Sequence, residues 1–424
     1  MRVERFFRAA ARLAAAGALT AAVTLVAGCS TKTIVRAKGA LFSRVTIAPH
    51  ADTLTVGGNH LFVATAYDTG GAVVAGAAIA WSSSNTSVCS VGLNGLATAQ
   101  GQGVALIIAS SGGKSDTATV LVYGATTGWF TQTSGTTQNL SGVFFQPDGA
   151  TGYAVGDAGT LVTTTNAGTS WSPATSGTLS DLASVWFTST SVGWTVGKAG
   201  TVMKTMNGGS SWTQQTNVGT SQNLTCVRFS DALHGWITGA GGLVATTHDG
   251  GGTWVRSFPT AQTLNGVSFP DSLNGWAVGN GGVIVGSHDG GTSWYVVQPA
   301  VTAIALKGVW RVAGVAFDSL ALAVGAQGTV ARTGATPDSL AWALGNVGTV
   351  NQLNAVQLVD PFTAYAVGAS PAGLIEKSVD GGLTWMPQTS NSPVALNGVF
   401  FLDDQRGWAV GATGRIVHTS HGGN

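Results

Sequence analysis

Charge is scarce in this chain: only 9% of its 424 residues are Asp, Glu, Lys or Arg. That argues against a disordered polyelectrolyte and against a basic nucleic-acid-binding surface, both of which need dense charge. Downstream of residue 28 one glutamate is left, Glu376, beside Lys377 and expected on an outer strand just before a turn. Three cysteines are too few for a disulfide framework, and Cys89 and Cys226 are expected as separate buried thiols. No long stretch has a 3.6-residue apolar period, which excludes a doubly wound α/β fold. Neither G-x-x-x-x-G-K-[ST] nor G-x-G-x-x-G occurs, so no phosphate-cradling loop is indicated.

What is present is glycine, 62 residues of it, and 44% hydrophobic side chains, enough for a large core. Length suggests two folded domains. Residues 1–28 read as an export signal: a basic start, "MRVERFFRAAAR", then the small apolar run "LAAAGALTAAVTLVAG", short for a bilayer span of ~20 residues. With the four arginines and one glutamate of that segment set aside, 15 basic and 17 acidic side chains remain, so no polyanionic partner is implied. The end of the signal, "LVAGCS", resembles the lipobox of bacterial lipoproteins. The resemblance implies cleavage before Cys29, acylation of its thiol, and a membrane-anchored chain in the cell envelope on the extracytoplasmic side, at the outer membrane where the cell has one. Residues 29–43 would then be a lipidated tether.

Residues 44–123 predict a small β-sandwich from short alternating runs rich in Val, Thr and Ile and separated by Gly, Asn, Asp and Ser. "AWSSSNTSVCSVGLNGLATAQGQGVALIIAS" resembles the group 2 bacterial immunoglobulin-like domain, a resemblance that implies a spacer or adhesive module. Trp81 is expected between its sheets.

From residue 128 to 424 a unit of 40–48 residues repeats: L-x-x-V-x-F, D-x-x-x-G-W-A-V-G, x-x-G-x-[IV]-x-x-T, x-D-G-G-x-T-W. Seven units of four short strands predict a seven-bladed β-propeller. The fold class is therefore all-β, a sandwich followed by a propeller. Trp129 stands ahead of the first unit, and the last unit lacks its tryptophan, so "GWFTQT" at 128–133 is expected to close the ring as the outermost strand of the last blade.

The turn D-G-G-x-[ST]-W carries Asn166, Asn207, Asp249, Asp289 and Asp380, followed by Trp171, Trp212, Trp254, Trp294 and Trp385. Asparagine in two copies suits a turn and not a carboxylate catalyst, so a structural role is expected for all ten residues. This turn is identified as the Asp-box (BNR-like repeat). With G-W-A-V-G before it, the unit resembles the photosystem II stability and assembly factor family. That resemblance implies an assembly factor holding a membrane-protein partner on a propeller face. The fifth blade departs from it, reading "RTGATPDSLAW", and the arginines Arg228, Arg256, Arg311, Arg332, Arg406 and Arg415 are spread over different units.

Asp-box propellers include sialidases, which need an arginine cluster, a tyrosine–glutamate pair and an acid. Tyr153 and Tyr365 fall in the slot held elsewhere by Trp194, Trp236, Trp276 and Trp408, and carboxylates left after subtracting the repeat are dispersed. No catalytic residue, metal or cofactor is therefore expected, and a sialidase-like hydrolase is the reading the residues favour least. What remains is a binding face opposite the Asp-boxes, with Asp181, Lys198, Asn223, Asn265, Asn280, Lys307, Asn354 and Asn397, flanked by Asn139, Asp157 and Gln327. The expected function is a monomeric, lipid-anchored, extracytoplasmic binding protein docking a protein partner, with a glycan-binding surface adhesin as the alternative.

Overall fold

The computed structural model describes residues 42–123, 128–312, 320–333, 341–370 and 372–423. The expected export signal, Cys29 and most of the expected tether lie outside the described residues, as does the segment after Thr333 that replaces the fifth Asp-box.

Residues 42–123 form nine strands. A four-stranded sheet orders Ala51–Thr55, Lys114–Tyr123, Gly103–Ser111 and Ala80–Ser83, its first pair parallel. Asn59–Leu61, Leu96–Ala99 and Cys89–Val91 make a second sheet, and Phe42–Ala48 pairs with Val63–Asp68. Alternate residues point inward, as a half-buried pleat requires. Val45, Ile47, Phe62, Ile107 and Val120 meet in one apolar cluster, with Trp81 half-buried against it.

The rest of the described chain is all-β and forms a propeller. Among the described residues from 128 on there are seven four-stranded sheets, six built from consecutive strands in meander order. They are blade 1 at 140–174, blade 2 at 182–214, blade 3 at 224–257, blade 4 at 264–296, blade 5 at 306–346 and blade 6 at 352–388. Blade 7 combines Leu396–Phe401, Gly407–Gly411 and Arg415–Thr419 with Phe130–Thr133. The innermost strand of each blade touches that of the next, and that of blade 7 touches that of blade 1, so the sheets close into a ring. The closing pairing is antiparallel, Phe130 opposite His418 and Thr133 opposite Arg415. Leu121, from the last strand before the propeller, joins the apolar cluster of blades 7 and 1.

The Asp-box shows how a short polar turn joins blades. In blade 4 the Ser287 hydroxyl donates to Asp289 Oδ1 (2.8 Å) and accepts from Gly291 N–H (2.8 Å), while Ser293 N–H donates to the same carboxylate (2.9 Å). Gly290 and Gly291 take φ of +74° and +87°, values that penalise any residue with a Cβ. A Cβ on Gly291 would also lie 2.9 Å from Trp236 Nε1 of blade 3. That indole donates to Gly290 O (2.9 Å). The same carbonyl slot in other blades accepts from Tyr153, Lys204, Arg332, Tyr365 and Trp408, always from the preceding blade around the ring. Each such turn is thus bolted to its neighbour.

Hydrogen bonds donated by the Ser293 hydroxyl and N–H hold the Asp289 carboxyl down at about 2. A depressed folded-state value adds stability that is present above the unfolded value near 3.8 and is lost as pH falls toward 2. Asp289→Ala is expected to lower Tm by about 2–4 °C, the shift of a ~1 kcal/mol loss in a domain of this size. Asp289→Asn should retain most of the stability at neutral pH, since Asn166 and Asn207 accept the same bonds from Ser170 and Ser211. Thermal melts at pH 7 and pH 3 check both; equal melting of the alanine variant and the native chain at pH 7 would refute the bolt.

Candidate functional site

The innermost strands surround an axial cavity of about 140 Å³. Its upper wall is set by the residue after each leading leucine: Ser141, Ala183, Thr225, Asn265, Lys307, Asn354 and Asn397. Four of these spend their side chains on the neighbouring blade. Thr225 Oγ1 donates to Leu264 O (2.6 Å), Asn265 Nδ2 to Leu306 O (2.7 Å), Asn354 Nδ2 to Leu396 O (2.8 Å) and Asn397 Nδ2 to Leu140 O (2.9 Å). Lys307 stands in the same slot, but its ammonium meets no acceptor among the described residues.

The residue before the leucine also clamps a neighbour. Asp181 Oδ1 accepts from Ala158 N–H (2.8 Å), Asn223 Oδ1 from Ala199 N–H (3.0 Å) and Asn139 Oδ1 from Thr413 N–H (3.0 Å). The Lys198 ammonium pairs with Asp181 and, donating to it, holds that carboxyl below its usual range. Asn280 Oδ1 accepts from Asn265 Nδ2 (3.0 Å). The structure therefore gathers Asn265, Lys307, Asn354 and Asn397 around the axis and places Asp181, Lys198, Asn223 and Asn280 at turns and blade joints. Much of the polarity expected on this face holds the ring together.

Sequence reasoning missed the other end of the cavity. The fifth residue of the L-x-x-V-x-F stretch supplies Phe144, Trp186, Arg228, Trp310 and Phe400, with Ser268 and Gln357 in the other two units. Arg228 lies over the Trp186 ring (4.7 Å) and the Trp310 ring (5.3 Å), geometry suited to cation–π attraction. Phe144 sits 5.2 Å from Trp186 and 5.0 Å from Phe400. These rings crowd the axis at the Asp-box end. The signal was available as bulky residues in five of the seven units at one repeat position. Arg228 does not share the fate of the other arginines: Arg256, Arg311, Arg332 and Arg415 donate to groups in surface turns and strands, and Arg406 pairs with Asp403.

Carboxylates are largely committed to turns. Asp148, Asp231, Asp271, Asp360 and Asp403 each accept two backbone N–H groups just beyond themselves. Glu376 corrects an expectation: it lies on the third of four strands, Ala372–Ser378, and is buried, not on an outer strand. Tyr365 faces Lys377 across the sheet, which puts Tyr365 and Glu376 on opposite faces, so they do not form a nucleophile pair. His234 and His248 approach to 5.4 Å between ring centroids, yet no group of three metal-ligating side chains occurs among the described residues. Cys89 and Cys226 are buried free thiols.

The family model of the photosynthesis system II assembly factor YCF48 matches residues 123–216 and 213–301. Over those residues the chain is similar to that family. The structure of YCF48 bound to a D1 peptide is 21% identical, with a TM-score of 0.57 over 69% of this chain and 96% of that one. YCF48 from Cyanidioschyzon merolae is 18% identical, TM-score 0.54, over 69% and 98%. The WD40 propeller domain of Doa1 gives 12% and 0.56 over 70% and 98%. At these identities the structural likeness is one of fold. Comparison with curated proteins finds no match.

Proposed function

We propose that this chain is a lipid-anchored, extracytoplasmic, non-enzymatic binding protein. In this reading an immunoglobulin-like sandwich precedes a seven-bladed propeller that docks a protein partner on the face opposite the Asp-boxes. The observation that carries the docking reading is an apolar rim. Leu179 is 88% exposed, Val350 86% and Phe258 55%, each on a crossing from an outermost strand to the next innermost one. Single exposed apolar residues are ordinary, but three on alternate crossings of one face, around a central cavity, make a surface that a protein segment can cover. The YCF48 structure with a D1 peptide supports a protein ligand for this kind of propeller. Anchoring rests on the lipobox-like "LVAGCS" and Cys29, since acyl chains contribute ~0.8 kcal/mol per buried methylene. No helix among the described residues is long and apolar enough to cross a membrane.

In-cell photo-cross-linking tests the reading. A photoreactive side chain at Leu179 or Val350 is expected to capture a discrete membrane-protein partner, and one at Leu383, exposed on the Asp-box side, is not. Equal capture from both faces, or none from Leu179 and Val350, would refute the docking face. Cys29→Ser is expected to move the protein out of the membrane fraction, and retention after a carbonate wash would refute the anchor.

A further inference from the structure

The axial cavity has two cations in its wall, Arg228 and Lys307, and no carboxylate. Neither cation is neutralised in place. Arg228 donates one bond, from Nη1 to Val227 O (3.1 Å), while its buried Nε–H has no acceptor. An unmet donor on a charged group carries a large desolvation penalty, so a guanidinium held this way favours an incoming acceptor. Lys307 occupies the slot where Thr225, Asn265, Asn354 and Asn397 clamp the next blade, and it gives up that clamp to present an ammonium. Crowding of Phe144, Trp186, Trp310 and Phe400 narrows the Asp-box end, which makes the rim face the natural entry.

We propose that this axial well receives an acidic side chain, Asp or Glu, projecting from the docked partner. The inference rests on the docking reading above and specifies the partner's chemistry at the centre of that face. Charge complementarity selects the occupant: two cations and no competing anion line the well. A cavity of about 140 Å³ holds a few solvent-sized groups and not a folded segment. Planar Arg228, lying over the Trp186 and Trp310 rings, can offer Nε–H and a terminal N–H side by side to both oxygens of a carboxylate.

The test titrates the full-length protein with a pentaglycine blocked at both ends and carrying glutamate at its centre, followed through the arginine Nε–H resonances by NMR. The Arg228 signal is expected to shift saturably with this peptide and not with its glutamine counterpart. K307Q should weaken binding at least tenfold without disturbing the fold, because Lys307 bolts no blade. R228Q should abolish the response to binding seen at neighbouring backbone amides, and R228K should restore part of it. The proposal is overturned if the glutamate and glutamine peptides act alike, if neither moves the Arg228 signal, or if K307Q binds as the native chain does. It is also overturned if a pentaglycine with a free carboxy end binds more tightly than the glutamate peptide, which would assign the well to chain ends. The cross-linking at Leu179 reads the rim independently, so failure of the well and failure of the docking face are separate results.

Discussion

Trp129→Ala is expected to destabilise the propeller by roughly 3–5 kcal/mol, the range for large buried aromatics cut to alanine. The indole is fully buried, lying edge-on to Phe401 at 5.7 Å and to Tyr365 at 6.5 Å. It thus fills space between blades 6 and 7 that other blades fill with their own Asp-box tryptophan. Its carbonyl accepts from Asn391 Nδ2 (2.7 Å), and Gly423 packs against its ring. The turn at Thr419–Gly423 keeps the Asp-box bond from the glycine N–H to the threonine hydroxyl (2.8 Å), with His421 where the aspartate stands elsewhere. Blade 7 therefore assembles one box from two segments nearly 300 residues apart.

Removing residues 128–133 should be worse than Trp129→Ala, because it exposes the edge of Arg415–Thr419 as well. It also deletes Gln132, whose side chain accepts from Trp171 Nε1 (3.1 Å) and donates to Ala167 O (3.1 Å), tying blade 7 to the blade 1 box. Hydrogen exchange on Trp129→Ala is expected to accelerate in 396–419 and stay unchanged in 264–296. Loosening confined to 140–171 would show that Trp129 serves blade 1 instead.

Strand positions were legible because the repeat states them seven times. Leu140 and its six counterparts open the innermost strands, and G-W-A-V-G marks the second. The closing strand was legible by counting tryptophans. What the polar residues do was not legible, because a repeat reports where a side chain stands and not what it faces. Asn265 and Lys307 share a slot, yet one is consumed by Leu306 O and the other is left for the cavity. The difference lies in reach, since a short amide meets the neighbouring carbonyl and a long ammonium passes it. Arg228 looked like one of several scattered arginines until closure of the ring brought Trp186 and Trp310, 124 positions apart in sequence, together against it. Nothing local encodes that meeting. Glu376 was misplaced for the opposite reason: its charge argued for an outer strand, whereas its slot is one that the other blades bury.

That slot leads to the second large effect. The equivalents of Glu376, two residues before the Ser or Thr that opens each box, are Val162, Met203, Ala245, Val285, Ala331 and Val417. All six are apolar, so a carboxylate here is desolvated without the hydrogen bonds that would compensate it. Its cross-strand neighbours, Ala366 and Pro387, offer no charge, and Lys377 points the other way, donating to Gly422 O (3.0 Å). Glu376 Oε2 is buried without a hydrogen-bond partner, and burial pushes the carboxyl up to about 7 from 4.5. A raised folded-state value means that the unfolded chain loses its proton first. Stability from this group is therefore full below pH 4.5 and declines as pH rises to about 7, by on the order of 3 kcal/mol at most. Glu376→Met, the residue blade 2 carries in this slot, is expected to be neutral at pH 4.5. At pH 8 it should be stabilising by roughly 1–3 kcal/mol, raising Tm by several degrees. Urea unfolding of both proteins between pH 4.5 and 8 measures the difference directly. Parallel pH profiles for the two would mean that Glu376 keeps an ordinary acidity inside the sheet.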